Sequence, residues 1–385
     1  MDGHPRESAF DGACDRGAIS LLGTLVLAAT SALAVEQALP PQIELIPLPN
    51  AANVAKHPAL PVLYVSCDDA PESRNLVTYR LQPDGSLDAA SRQACADYFS
   101  PDGVRPSFRH RLFRAAVNAE KRVLYLAASP TTANSVMTYA DTNNFEFAAV
   151  RLDETGQPRE RLKAFRSEAT GQQGLIDGVR HEPTLKKCFA TYYSTIQWLD
   201  LDEDGLPVEG VNRWIPWLTE YQQWRYETDW NRFFAQRTTS MLINFIWEPG
   251  APGMEFIQAA EATAGRPQPG VLPVSRDLRK LYLLDSASPR DLLVVPLGDR
   301  GSFVGVPRRF DIGPASHLVC DFPRRKLYSF GGKQARVFDL DAEGFPCATP
   351  RNFALDVGDI RDALLDEGSG RLYIACTKPS GAETK

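Results

Sequence analysis

What most constrains this chain is a self-similarity with a period near 45 residues. Residues 186–205, KKCFATYYSTIQWLDLDEDG, shifted by 45 positions fall without a gap on residues 231–250, NRFFAQRTTSMLINFIWEPG. Phe189 lands on Phe234, Ala190 on Ala235 and Gly205 on Gly250. Further back, Val179-Arg180-His181-Glu182 lands on Trp224-Arg225-Tyr226-Glu227. A fixed period in the forties marks a repeat architecture, in which each unit buries its apolar face against its neighbours.

Seven units can be followed by the aromatic residue that ends a hydrophobic couplet: Tyr64, Tyr125, Phe189, Phe234, Tyr282, Tyr328 and Tyr373. Their spacings are 61, 64, 45, 48, 46 and 45, so the first two units carry insertions. A basic turn precedes most couplets (Lys121-Arg122, Lys186-Lys187, Arg279-Lys280, Arg324-Arg325-Lys326), and an apolar strand precedes that turn. After the couplet a third strand runs into a glycine-bearing hairpin at Gly85, Gly156, Gly205, Gly250, Gly301 and Gly344. Glycine suits those turns because a tight hairpin needs positive φ, which Asp or Asn beside it tolerates. Four short antiparallel strands per unit make one propeller blade. The expected fold is therefore all-β: a seven-bladed β-propeller of four-stranded antiparallel blades, with no long helical stripe anywhere. The seventh unit has only two strands of its own, and Ile43 to Leu48 is free to supply an outer strand that ties the ring shut. Its remaining strand is missing, so either that blade is reduced or the chain is truncated at its C-terminus.

Residues 18–34, AISLLGTLVLAATSALA, form an apolar run closing on Ala32-Leu33-Ala34. This reads as a secretory signal peptide over residues 1–34, with an acidic n-region where a basic one is usual, and an uncleaved anchor as the competing reading. Residues 35–385 then form one propeller domain, periplasmic or secreted, with no integral membrane span after cleavage and a monomer as the expected state. Six cysteines would remain in the mature chain, expected as buried thiols because no C-x-x-C pair occurs. The net charge of −6 argues against a nucleic-acid partner, since phosphate neutralisation needs clustered Lys and Arg.

The order of apolar strand, turn, Leu-Tyr-Val couplet, strand and L-D-x-D-G hairpin resembles the YVTN-type propellers, and within them the lactonase (6-phosphogluconolactonase-like) family. The residues that carry this are Leu63-Tyr64-Val65-Ser66 with the run from Asn75 to Leu87, and Arg371-Leu372-Tyr373-Ile374-Ala375. No Gly-His…Trp-Asp periodicity of the WD40 kind occurs, and Gly331-Gly332 is a solitary kelch-like doublet. The resemblance implies a histidine in a strand near the channel with arginine and glutamate partners, a place that Arg180, His181 and Glu182 occupy here. The family's paired histidines and its Asp-Leu-Gly segment are absent, with Thr191-Tyr192-Tyr193 in that region.

The candidate site follows from the repeat. Arg180 with Glu182, and Arg225 with Glu227, stand at i, i+2, which puts each pair on one strand face. Such pairs make either a salt-bridged rim or a fork for an anionic ligand. His181 and Tyr226 have the opposite parity and point elsewhere unless the strand bulges. His57, His110, His181 and His317 precede their couplets by unequal offsets, so a shared site for a divalent metal competes with scattered, hydrogen-bonded imidazoles. No cofactor motif is evident. Trp214, Trp217, Trp224 and Trp230 crowd into 17 residues, as inter-blade packing or as the floor of a pocket. The leading expectation is a binding or scaffolding propeller taking a small molecule or protein at its channel mouth, with His110, Trp224, Tyr226, Glu227 and His317 contributing. The alternative is a lactonase-like hydrolase using His181 with Arg180, Glu182 and Arg225.

Overall fold

A computed structural model describes residues 40–377 except 41, 50, 68–75, 96–97, 99–108, 132–143, 169–175, 193–194, 215–220, 238–240, 247–254, 262–269, 286–287 and 289. The expected signal peptide lies outside the described residues. Seven sheets follow one another along the chain, and the fold is a β-propeller. Blades 1 to 6 cover residues 51–94, 109–168, 176–214, 221–261, 274–311 and 317–354, and blade 7 covers residues 360–376 with residues 43–47. Within blades 1 to 6 the four strands pair antiparallel in chain order. First strands lie against one another between blades 7 and 1, 1 and 2, 2 and 3, and 6 and 7, which makes them the innermost there. Blade 4 gains a fifth strand, Gly270–Val271, parallel to its first strand. All seven couplet aromatics fall in second strands and are buried. Among the described residues no helix is long and apolar enough to cross a membrane.

Apolar clusters sit between blades rather than within them. Tyr64 of blade 1 packs with Leu124 and Val150 of blade 2, and Tyr125 of blade 2 with Cys188 and Leu199 of blade 3. The ring closes through the cluster in which Ile46, Tyr373 and Ala375 of blade 7 meet Leu63, Val65 and Val77 of blade 1. Cys67, Cys188, Cys320 and Cys376 are buried thiols, and Cys347 is exposed.

The couplet tyrosines also fasten each blade to the next. Tyr64 donates its hydroxyl hydrogen to the Gly156 carbonyl at 2.6 Å, Tyr125 to Gly205 at 2.7 Å, Tyr282 to Gly344 at 2.8 Å and Tyr373 to Gly85 at 2.6 Å. In every case the acceptor is the hairpin glycine of the following blade, held at φ between 75° and 83°. That left-handed glycine turns its carbonyl inward, where a buried oxygen needs a donor. Phe189 and Phe234 keep the packing and forgo the bond. The turn before the couplet bends at a left-handed residue in blades 2 to 6 as well, namely Arg122, Lys186, Asn231, Arg279 and Arg325, near φ 50°.

The last blade differs from the four-stranded antiparallel pattern. It has three strands: Ile360–Asp366, Arg371–Cys376 and Ile43–Pro47, the last running parallel to its neighbour. The N-terminal strand thus takes the third position, directly beside the couplet strand, rather than the expected outer one, and among the described residues the blade has no fourth strand. Chain direction explains the parallel pairing, because the segment must arrive from one end and continue into blade 1.

Candidate functional site

First strands do more than line the ring. In blades 1, 2, 3, 4 and 7 they bulge near their start, at Ala51/Asn53, His110/Leu112, Ile176/Gly178, Tyr221/Gln223 and Ile360/Asp362. A bulge re-aims the side chain that follows it. Asp362 and Asn53 stand just past such bulges and meet across the closing seam. Asp362 Oδ2 accepts from Asn53 Nδ2 at 2.7 Å and from the Val54 N–H at 2.9 Å. Asn53 Oδ1 in turn accepts from the Ala115 N–H of blade 2 at 3.1 Å. Neither residue carried a signal in the sequence.

Beyond its bulge, the first strand of blade 3 pairs regularly from Gly178 to Glu182, so side-chain parity holds there. Arg180 and Glu182 face blade 4, whereas Val179 and His181 face blade 2. The His181 ring lies 5.5 Å from that of Tyr125 and hydrogen-bonds the Val117 backbone. Burial lowers its pKa from 6.5 to about 4, with the Val117 bond opposing. The imidazole is therefore neutral at ordinary pH. An unfolded chain takes up this proton below about pH 6.5, while the folded one resists until about 4, so the stability is complete above 6.5 and lost as pH falls. Between pH 7 and 4 the wild type is expected to lose on the order of 2–3 kcal/mol more than His181→Gln, at about 1.4 kcal/mol per pKa unit. Urea unfolding at the two pH values checks this, and parallel losses would contradict it. His57 and His317, shifted in the same direction, are common to both proteins and cancel.

One cavity of about 360 Å³ opens at the seam of blades 3, 4 and 5. It is lined by Arg180, His181 and Glu182 from blade 3 and by Trp224, Arg225, Tyr226 and Glu227 from blade 4. Thr228, Asp229 and Arg276, which sequence reasoning missed, complete it. Thr228 and Asp229 lie in the turn before the couplet of blade 4, and Arg276 in that of blade 5. Thr228 and Arg276 hold the position that Pro183 and Phe322 hold in other blades, and with no shared residue type there the repeat did not mark them.

The two repeated Arg/Glu pairs behave differently. Arg225 Nε binds Glu227 Oε1 at 2.6 Å, Arg276 Nε approaches Glu227 Oε2 at 3.7 Å, and Arg276 also pairs with Asp229. That pair is the expected salt-bridged rim. Arg180 instead lies over the Trp224 ring, 4.9 Å from its centroid, and donates from Nη1 to the Trp224 carbonyl at 3.1 Å. No carboxylate of the described residues lies within ion-pair distance of Arg180. Burial, reinforced by the neighbouring Arg225 charge, lowers its pKa to about 10, with Asp362 opposing. Glu182 is left with the Thr184 N–H at 3.4 Å. Burial pushes its carboxyl above the usual range, against the Thr184 bonds and the Arg225 charge. Tyr226 faces Glu182 and donates to Asn231 Oδ1 at 3.3 Å. Burial, then Glu182, pushes its hydroxyl up to about 12.

The remaining candidates are dispersed. His57 is buried in blade 1, where Nδ1 accepts from the Ala59 and Leu60 N–H groups at 3.1 and 3.0 Å. His317 is buried in blade 6 and lines a second cavity. His110 lies in the first strand of blade 2, with its side chain outside the described residues. No three His, Cys, Asp or Glu side chains among the described residues are arranged to hold a metal ion. Trp224 stacks on Phe233 at 5.0 Å and 14° and Trp230 meets Phe234 edge-on at 6.4 Å, both within blade 4, and Trp224 also packs on Phe189 of blade 3 at 5.0 Å. Trp214 and Trp217 have their side chains outside the described residues.

No family model matches the chain, and no curated protein matches its sequence. Solved structures do. A candidate 6-phosphogluconolactonase from Bacteroides uniformis has a TM-score of 0.57 at 13% identity, over 82% of this chain and 88% of that one. A protein from Lactobacillus plantarum has 0.58 at 12%, over 82% and 96%. The β-propeller domain of Cps50 (Swd1) from Myceliophteria thermophila has 0.55 at 12%, over 86% and 96%. At such identities the likeness is one of fold, which the candidate 6-phosphogluconolactonase and the Cps50 (Swd1) β-propeller domain share.

Proposed function

We propose that this propeller is a binding module for a small anionic ligand, held in the cavity between Arg180 and Arg225. The observation that carries the reading is the Arg180 guanidinium: partly buried, seated on Trp224, beside a second guanidinium and with no carboxylate of the described residues within ion-pair distance. A buried cation without a counter-ion is costly, and a bound carboxylate or phosphate removes that cost while using the planar fork of arginine. Calorimetric titration with inorganic phosphate and with gluconate tests it. Arg180→Gln is expected to weaken binding about 10- to 100-fold, the worth of a charged hydrogen bond of ~1.5–3 kcal/mol. Equal affinities for the two proteins, or no binding by either, would overturn the assignment.

Opening of a lactone ring is the second reading. The Glu182 carboxyl, which burial raises and which shares the cavity with Arg180 and Arg225, favours it, because a carboxyl can move a proton while guanidiniums polarise an ester carbonyl. The solved candidate 6-phosphogluconolactonase supplies a fold precedent. In this version the chemistry rests on Glu182, Arg180 and Arg225, and His181 acts from behind the strand. Background-level hydrolysis of gluconolactone by the wild type, with gluconate still bound, would leave the binding module alone.

A further inference from the structure

We infer that the ligand of the Arg180 site is an amphiphilic carboxylate, whose head group sits between Arg180 and Arg225 and whose alkyl chain runs along the channel into a second cavity. This rests on the anion-binding reading and adds the class of ligand. The second cavity, of about 210 Å³, shares Arg225 as a wall with the first. It extends from there to the inner strands of blades 6 and 7, along Val274, Leu318, Leu364 and Leu365. Leu364 and Leu365 are only half-buried although they belong to an innermost strand, so the cavity leaves apolar surface uncovered.

Of the polar residues in this cavity, His317 and Asp362 are already engaged, and Glu367 is exposed. The His317 ring uses both nitrogens, Nδ1 with Ser316 Oγ at 3.0 Å and Nε2 with the Arg361 carbonyl at 3.1 Å. Asp362 spends Oδ2 on Asn53 and Val54, and Oδ1 on the Ala363 N–H at 2.9 Å. Neither offers a ready hydrogen bond to a sugar-like ligand. The Asp362 and Glu367 carboxylates also repel an anion from this cavity, which leaves the guanidiniums of Arg180 and Arg225 for the head group. The lining therefore changes across the two cavities that share Arg225, from guanidiniums in the first to Val274, Leu318, Leu364 and Leu365 in the second. A ligand with the same gradient matches it, because apolar pockets with a few placed polar groups fix orientation by those groups.

Calorimetry with the linear carboxylates from butyrate to octanoate tests the inference. Wild-type affinity is expected to rise about fourfold per methylene, which is ~0.8 kcal/mol. Arg180→Gln should weaken every member by a similar factor. Leu364→Gln and, separately, Leu365→Gln should flatten the rise while leaving butyrate unchanged; both side chains are half-buried, and circular dichroism confirms that each variant is folded. Equal binding of butyrate and octanoate by the wild type would overturn the amphiphile while leaving the anion site standing. A chain-length rise kept by both leucine variants places the chain elsewhere and also overturns it. Absence of binding at every length, together with absence of phosphate and gluconate binding, would remove the anion reading itself.

Discussion

A chain that starts at residue 49 is expected to lose its cooperative thermal transition. The removed segment is the third strand of the last blade, and its loss has three consequences. Ile43, Ile46 and Leu48, exposed by 7%, 1% and 6%, leave the seam between blades 7 and 1. Burying each such side chain contributes about 1.5–3 kcal/mol. The bonds from the Leu372 N–H to the Gln42 carbonyl at 2.8 Å and from the Leu48 N–H to the Cys376 carbonyl at 3.1 Å disappear. Arg371 loses Glu44, although it keeps the Asp84 carbonyl and carboxylate of blade 1 at 2.6 and 2.8 Å. The strand Arg371–Cys376, fully buried from Leu372 onward, becomes a hydrophobic edge. Since a domain holds only about 5–15 kcal/mol in total, this exhausts it. Ile46→Ala is the graded form, costing about 2–5 kcal/mol in chemical denaturation. A truncated chain melting at the wild-type temperature would contradict the closure.

Gly331→Ala is the second large effect. A Cβ at Gly331 would lie 2.2 Å from the Pro314 carbonyl oxygen, 2.7 Å from its carbon and 2.8 Å from Ala315 Cα. All three are backbone atoms of the segment leading into blade 6, so no side chain can swing aside. The expected cost is about 3 kcal/mol or more, at the upper end of overpacking. Gly332 is the control. Its φ is 58° and nothing lies within 4 Å of a Cβ there, so Gly332→Ala meets only left-handed strain of about 1 kcal/mol. Equal destabilisation of the two variants in urea would show that the close approach is not what holds Gly331.

The repeat was legible because blades resemble one another in what they do internally. Couplet aromatics, basic turns and the hairpin glycines Gly85, Gly156, Gly205, Gly301 and Gly344 fell where periodicity put them, Gly250 lies outside the described residues, and the N-terminal strand went to the last blade. What crosses between blades was not legible. The tyrosine hydroxyls read as mere size, since their glycine acceptors lie 62 to 92 residues on within the ring, and 288 back for Tyr373. Bulges hid Asn53 and Asp362, because one extra residue inverts which face a side chain takes. Parity alone correctly turned His181 away from Arg180. It gave no means of separating Arg225, which takes its glutamate, from Arg180, which takes a tryptophan ring supplied by the next blade. The site depends on that difference, and only packing reveals it.

Anomalous diffraction from a crystal of the protein soaked in selenate, a tetrahedral dianion, tests the central claim most directly. The account predicts a selenium peak in the cavity between blades 3 and 4, within hydrogen-bond reach of the Arg180 and Arg225 guanidiniums. Peaks confined to other surfaces, with Glu182 swung onto Arg180 as Glu227 is onto Arg225, would contradict it.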